Sequence, residues 1–232
     1  MTSEPIDDTE AGTRTLPPWW VLLLVALAIG AVAFSIGRFS TFGIAGSTPA
    51  DDSADAGFAR DMQVHHSQAV EMAMTIYAET DDDELRTLAY DIATGQSAQR
   101  GEMFDWLVQW GLPQYGSEPM AWMSASGDPA HGAHQAATED GSPMTDEEMR
   151  QAMGMASEEE LQELRAATGR AADCQFLTLM IRHHEGAIPM ADAVIELGSD
   201  ERVTTVAESM KKGQTFEIQA MTSMQQRLGC TG

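Results

Sequence analysis

Apolar and polar positions along most of this chain recur with the spacing of a helix face. Phe58, Met62, Ala69, Met72, Ala73 and Ile76 fall three and four apart, which predicts a helix over 55–79 with one buried stripe. Thr80-Asp81-Asp82-Asp83 carries turn and cap signals. Leu85, Leu88, Ile92, Met103, Trp106, Leu107 and Trp110 then mark a second helix over 82–110, stopped by Gly111-Leu112-Pro113. A third helix is expected over 171–197, a turn at Gly198-Ser199-Asp200, and a fourth helix over 201–228 ending at Gly229. Two αα-hairpins, 55–111 and 171–229, bury their stripes best against each other. The expected fold is therefore all-α, an antiparallel four-helix bundle over 55–229. In the linker 112–170, the stretch 113–143 is rich in Gly, Ser, Pro, Ala and His and reads as irregular. Thr145-Asp-Glu-Glu148 and Ser157-Glu-Glu-Glu160 each match a capping box, predicting two short helices.

One segment departs from this pattern. Trp19–Gly37 is apolar on every side, with no charge between Arg14 and Arg38. As a helix it would cover about 28 Å, near the ~30 Å hydrocarbon thickness. Pro17 and Pro18 mark its start, and Trp19 and Trp20 suit the headgroup interface. The expectation is a short polar tail over 1–18, a transmembrane signal anchor over 19–37 and a flexible tether over 38–54. Cleavage of a signal peptide, giving a secreted protein, is the alternative.

The two hairpins are copies of one another. Phe58-Ala-Arg-Asp-Met62-Gln-Val-His65-His66-Ser-Gln-Ala69-Val-Glu-Met72-Ala73 lies over Phe176-Leu-Thr-Leu-Met180-Ile-Arg-His183-His184-Glu-Gly-Ala187-Ile-Pro-Met190-Ala191. The same register carries Gly95-Gln96 onto Gly213-Gln214, Met103 onto Met221 and Gly111 onto Gly229.

Charge narrows the possibilities. With 13 Lys+Arg against 36 Asp+Glu, the formal net charge of −23 excludes a nucleic-acid binder and a polybasic membrane patch. Among its 16 Met, several stand beside His in the repeated motif, and this pairing carries the candidate chemistry. Met62, His66, Ala69 and Ala73 share one helix stripe, and Met180, His184, Ala187 and Ala191 repeat it. His65 with Met72 and His183 with Met190 occupy the neighbouring stripes. A twofold relation between copies would bring His66 and His184 together across the core, with Met62 and Met180 a turn away. Imidazole with thioether favours copper; zinc on four His is the alternative. The carboxylates of a di-iron bundle are missing, since Met62 and Met180 stand where Glu-x-x-His would need Glu. Gln96, Gln214, Gln99 and Glu217 on the partner helices are candidates to hold the imidazoles. Pro189 predicts a kink beside His184. Cys174 and Cys230 fall at the same end of the second hairpin. A disulfide is expected between them, with two unrelated buried or terminal thiols as the alternative.

These residues resemble a known family. Asp61-Met62-x-x-His65-His66-x-x-Ala69-x-x-Met72-Ala73 and Leu179-Met180-x-x-His183-His184-x-x-Ala187-x-x-Met190-Ala191, each followed by Gln96 or Gln214, look like the signature of domain-of-unknown-function family 305. The resemblance implies a ferritin-like four-helix bundle in exported or membrane-anchored bacterial proteins, some of them implicated in copper binding and resistance. It makes His65, His66, His183, His184, Met62, Met72, Met180 and Met190 the candidate ligands. The family has an acid after its helix-two Gln, where this chain has Gln99 and Arg100.

The expected function is a membrane-anchored extracytoplasmic protein that scavenges or buffers copper. The alternative is an anchored helical bundle for protein contact, its His pairs structural and without metal. No acid/base or nucleophile set points to an enzyme.

Overall fold

A computed structural model describes residues 29, 48–116, 118–125 and 144–230. Among the described residues there are six helices and no strand: α1 (Ala54–Glu79), α2 (Asp83–Trp110), α3 (Asp146–Ala152), α4 (Glu158–Ala166), α5 (Gly169–Leu197) and α6 (Glu201–Leu228), with a 3₁₀ turn at Ala121–Ala125. The long helices begin and end within two residues of where periodicity and caps put them. Asp82 accepts from Leu85 N–H at 2.9 Å and Asp200 from Arg202 N–H at 2.9 Å, each at the start of a second hairpin helix. Gly111 (φ 70°) and Gly229 (φ 65°) close those helices in the left-handed conformation that favours glycine. Thr145 and Ser157 form the two capping boxes. α5 continues through Pro189 to Leu197 as one helix.

The four long helices form a bundle whose core is split into two apolar clusters. One joins the start of α1 (Phe58, Met62) and the end of α2 (Met103, Leu107) to the end of α5 (Met190, Val194) and the start of α6 (Val203, Met210). The other joins the end of α1 (Met72, Ile76) and the start of α2 (Leu85, Ile92) to the start of α5 (Phe176, Met180) and the end of α6 (Met221, Met224). Starts meet ends, so α1 and α5 run antiparallel, and a pseudo-twofold axis exchanges the clusters. The repeat partners Phe58 and Phe176 are both wholly buried, one anchoring each cluster. His65, His66, His183 and His184 lie along the chain between the two sets.

Cys174 and Cys230 form a disulfide with Cα atoms 5.3 Å apart, tying the start of α5 to the end of α6. Apart from Ile29, the apolar span 19–37 expected to anchor the chain lies outside the described residues. Among those described, no helix is long and apolar enough to cross a membrane.

Candidate metal centre

The four histidines are fully buried, each at most 1% exposed. Standing at the midpoints of α1 and α5, between the two apolar clusters, they form a polar layer within an otherwise apolar core. Repeat partners His65 and His183 meet ring to ring, centroids 3.7 Å apart, which places the pseudo-twofold axis between them. This differs from the expectation that His66 and His184 would be the pair meeting across the core. Helix geometry explains it: adjacent residues point about 100° apart, so where His65 and His183 face the α1–α5 contact, their neighbours turn toward α2 and α6. The His183 and His184 rings are 6.2 Å apart.

Each imidazole is held by one nitrogen. His65 Nε2–H donates to the Met153 carbonyl at 3.1 Å, and His183 Nε2–H to the His65 carbonyl at 3.0 Å. His66 Nε2–H donates to Gln99 Oε1 at 2.7 Å, and His184 Nε2–H to Glu217 Oε2 at 2.8 Å. Carbonyl and carboxylate oxygens only accept, so these contacts set the Nε2–H tautomer and leave Nδ1 with a lone pair. All four Nδ1 atoms are buried and have no hydrogen-bond partner. Burial disfavours the charged form of His65, His66 and His183. His65 is lowered to about 4, and His66 to about 3 with a further push from His65. His183 is lowered well below its ordinary value by burial and then by the other three histidines.

Four imidazoles with Nδ1 uncommitted and Nε2 held by oxygen match the geometry in which histidine binds metal. Among the described residues, no three His, Cys, Asp or Glu groups are arranged to hold a metal ion by themselves. Thioether sulfur is the other donor present. Met62, Met103 and Met190 belong to the cluster on one side of the layer, and Met72, Met180 and Met221 to the cluster on the other. Met62 and Met180 are thus separated by the twofold, each beside the other copy's Met190 or Met72 cluster. All six are buried.

Gln96 and Gln214 do not hold the imidazoles; Gln99 and Glu217, one turn further on, do. Both amide atoms of Gln96 and Oε1 of Gln214 are buried without a partner. Met153 is a residue that spacing did not reveal. It reaches His65 because the linker crosses α5 where two glycines meet: Gly154 (φ 76°) lies against the Arg182 carbonyl, and Gly186 lies against the Met153 carbonyl. Gln68 clamps the same strand of linker, its amide bonding both Ala156 N–H (2.7 Å) and Ala156 C=O (2.8 Å). Only Gly186, standing where the first copy has Gln68, hinted at a close approach.

This architecture is shared with proteins of known structure. A DUF305 protein of Streptomyces coelicolor, assigned as secreted, is 37% identical over 78% of this chain and 96% of that one, with a TM-score of 0.66. A DUF305 fragment from Deinococcus radiodurans is 29% identical over 75% and 96%, with a TM-score of 0.59. The fold is also shared with CopM in its Cu(I)-bound form, 22% identical over 75% and 96%, with a TM-score of 0.52. Among curated proteins none matches the sequence. The family model described as "Domain of unknown function (DUF305)" matches residues 55–225, which span both His-His helices and the linker between them, and the chain belongs to that family.

Proposed function

We propose that this protein binds copper in its histidine layer and serves outside the cytoplasm as a copper scavenger or buffer. Residues 19–37 would be its membrane tether. The observation that carries the reading is the set of four buried Nδ1 lone pairs without partners, on rings already fixed in the ligating tautomer. The ligands would be drawn from His65, His66, His183 and His184, with Met62, Met180, Met72 and Met190 supplying thioethers from either side. Soft sulfur favours Cu(I), while imidazole also accepts Cu(II), and a purely imidazole site would accept zinc. CopM structures in Cu(I)- and Cu(II)-bound forms support copper over zinc. A family relative assigned as secreted supports an extracytoplasmic domain, as does the disulfide, which suits an oxidising compartment.

The test is equilibrium titration of the full chain with Cu(I), Cu(II) and Zn(II), beside a variant carrying His65→Ala, His66→Ala, His183→Ala and His184→Ala. The expected result is tight copper binding by the parent and its loss in a variant that keeps its helical circular dichroism. Equal binding by both would move the metal to surface acids and return the histidines to a structural role.

A further inference from the structure

The bundle treats its two axial faces unequally. On the α1–α5 face the linker lies over His65, with Met153 wholly buried and Ala156 clamped by Gln68. On the opposite face α2 and α6 leave a cleft of about 60 Å³ between them. Its lining is five residues from each copy, and every one has its repeat partner in the same lining: Asp91 and Ser209, Ile92 and Met210, Gly95 and Gly213, Gln96 and Gln214, Gln99 and Glu217. The cleft therefore sits on the same pseudo-twofold axis as the His65–His183 contact.

Three properties make it more than a packing gap. Gln96 and Gln214, only 5% and 6% exposed, line it with amide atoms that have no partner. Buried amides of that kind require water or an ion, and the volume suits about two waters, each needing ~30 Å³. Secondly, Gln99 and Glu217, the groups that hold His66 and His184, form part of the same wall. Lastly, Gly95 and Gly213 are exposed, and a Cβ at either would meet no atom within 4 Å, so the absence of side chains keeps the mouth clear. Glycine in mid-helix costs about 1 kcal/mol against alanine, and here packing does not require it.

We propose that this cleft is the port by which a metal cation reaches the histidine layer, with the Gln96 and Gln214 amide oxygens as its staging ligands. The inference rests on the copper reading above. The chain's charge of −23 draws cations toward the surface, and Asp91 and Glu217 add carboxylates at the cleft itself. A partly hydrated cation exchanges water for amide oxygen there, then imidazole for amide, so it is never stripped bare in the apolar core. Its size admits an ion with a water or two but not a chelator.

Stopped-flow loading of the full-length protein with Cu(I) tests this, using Gly95→Leu with Gly213→Leu to fill the mouth and Gly95→Ala with Gly213→Ala as the control. The leucine pair is expected to slow loading and release at least tenfold each, with the equilibrium affinity within threefold of the parent. The alanine pair should load within threefold of the parent rate. Should the leucine pair lose its helical signal, Gln96→Leu with Gln214→Leu serves instead and is expected to slow loading by a similar factor. Unchanged loading in the folded variants overturns the port while leaving the copper site intact. A parent that binds no copper at equilibrium overturns both.

Discussion

The two copies in this chain agree in the histidine and methionine positions of the core and differ at the positions that hold the linker. His65-His66, Met62, Met72, Gly95-Gln96 and Met103 recur as His183-His184, Met180, Met190, Gly213-Gln214 and Met221. Asp61 has Leu179 as its partner, and Asp61 is the carboxylate that accepts from Met120 N–H and Trp122 Nε1–H, each at 2.8 Å. Gln68 and Gly186 are partners, one clamping the linker and the other making room for it. Val64 is matched by Arg182, which pairs with Glu160 of α4 at 2.6 Å, and Pro189 by Glu71, which pairs with Arg165 of α4 at 2.6 Å. A symmetric interior and an asymmetric coat follow from one physical fact. A single linker cannot cover both equivalents of a twofold pair, so it breaks the symmetry of whatever it lies on.

The shared layer should give the largest effect. His65 and His66 titrate near 4 and 3 in the fold, against an ordinary 6.5 that the unfolded chain recovers. Below pH 6.5 the unfolded state therefore binds protons that the folded state refuses. Stability is fully present above that pH and falls as the pH drops toward 4, by at most ~1.4 kcal/mol per unit for each such histidine. With both copies contributing, the metal-free protein should lose its tertiary fold between pH 6 and pH 4. Thermal melts across that range check it; a melting temperature independent of pH would mean the rings are already protonated inside.

The disulfide belongs to the second copy alone, and closes a loop with a sequence separation of 56. Cys174→Ser with Cys230→Ser should cost about 4 kcal/mol. Hydrogen exchange should show the second hairpin losing protection before the first. Uniform loss across both would mean the halves unfold as one unit.

At the linker crossing, Gly186→Ala should cost about 3 kcal/mol, because its Cβ would occupy the space of the Met153 backbone. Its repeat partner is gentler: Gln68→Ala removes two bonds to Ala156 and should cost ~1–2 kcal/mol. Urea denaturation of both variants measures the ratio, and equal costs would place the linker off the α5 surface.

The smallest expected change separates Glu217 from Gln99, the one chemical difference at the imidazoles. Glu217→Gln keeps the hydrogen bond to His184 but removes the charge behind it, and copper affinity should weaken about tenfold. Gln99→Glu should strengthen it by a similar factor. Competition against a chromophoric Cu(I) chelator reads both.

Much of this molecule was legible along the chain. Helix ends, hairpins and the duplication follow from local rules, because capping residues, left-handed glycines and three-to-four spacing act within one or two turns. The eight candidate ligands could be named from a repeated pattern for the same reason. Gln96, Gln214, Gln99 and Glu217 could all be named as candidates to hold the imidazoles, but which pair does so could not, since a one-turn offset between neighbouring helices leaves no mark in either sequence. Nor could spacing show that Met153 would supply a carbonyl to His65, a contact 88 residues apart along the chain.

The sequence by itself determined the helices, their order and the inward-facing stripe that carries His and Met, since each depends on residues close in the chain. The tertiary structure alone decided which histidines meet, which oxygens fix their tautomers, and which face of the bundle is covered and which left open. Those outcomes depend on where a twofold axis and a single linker fall in space, and neither position is encoded in any one segment.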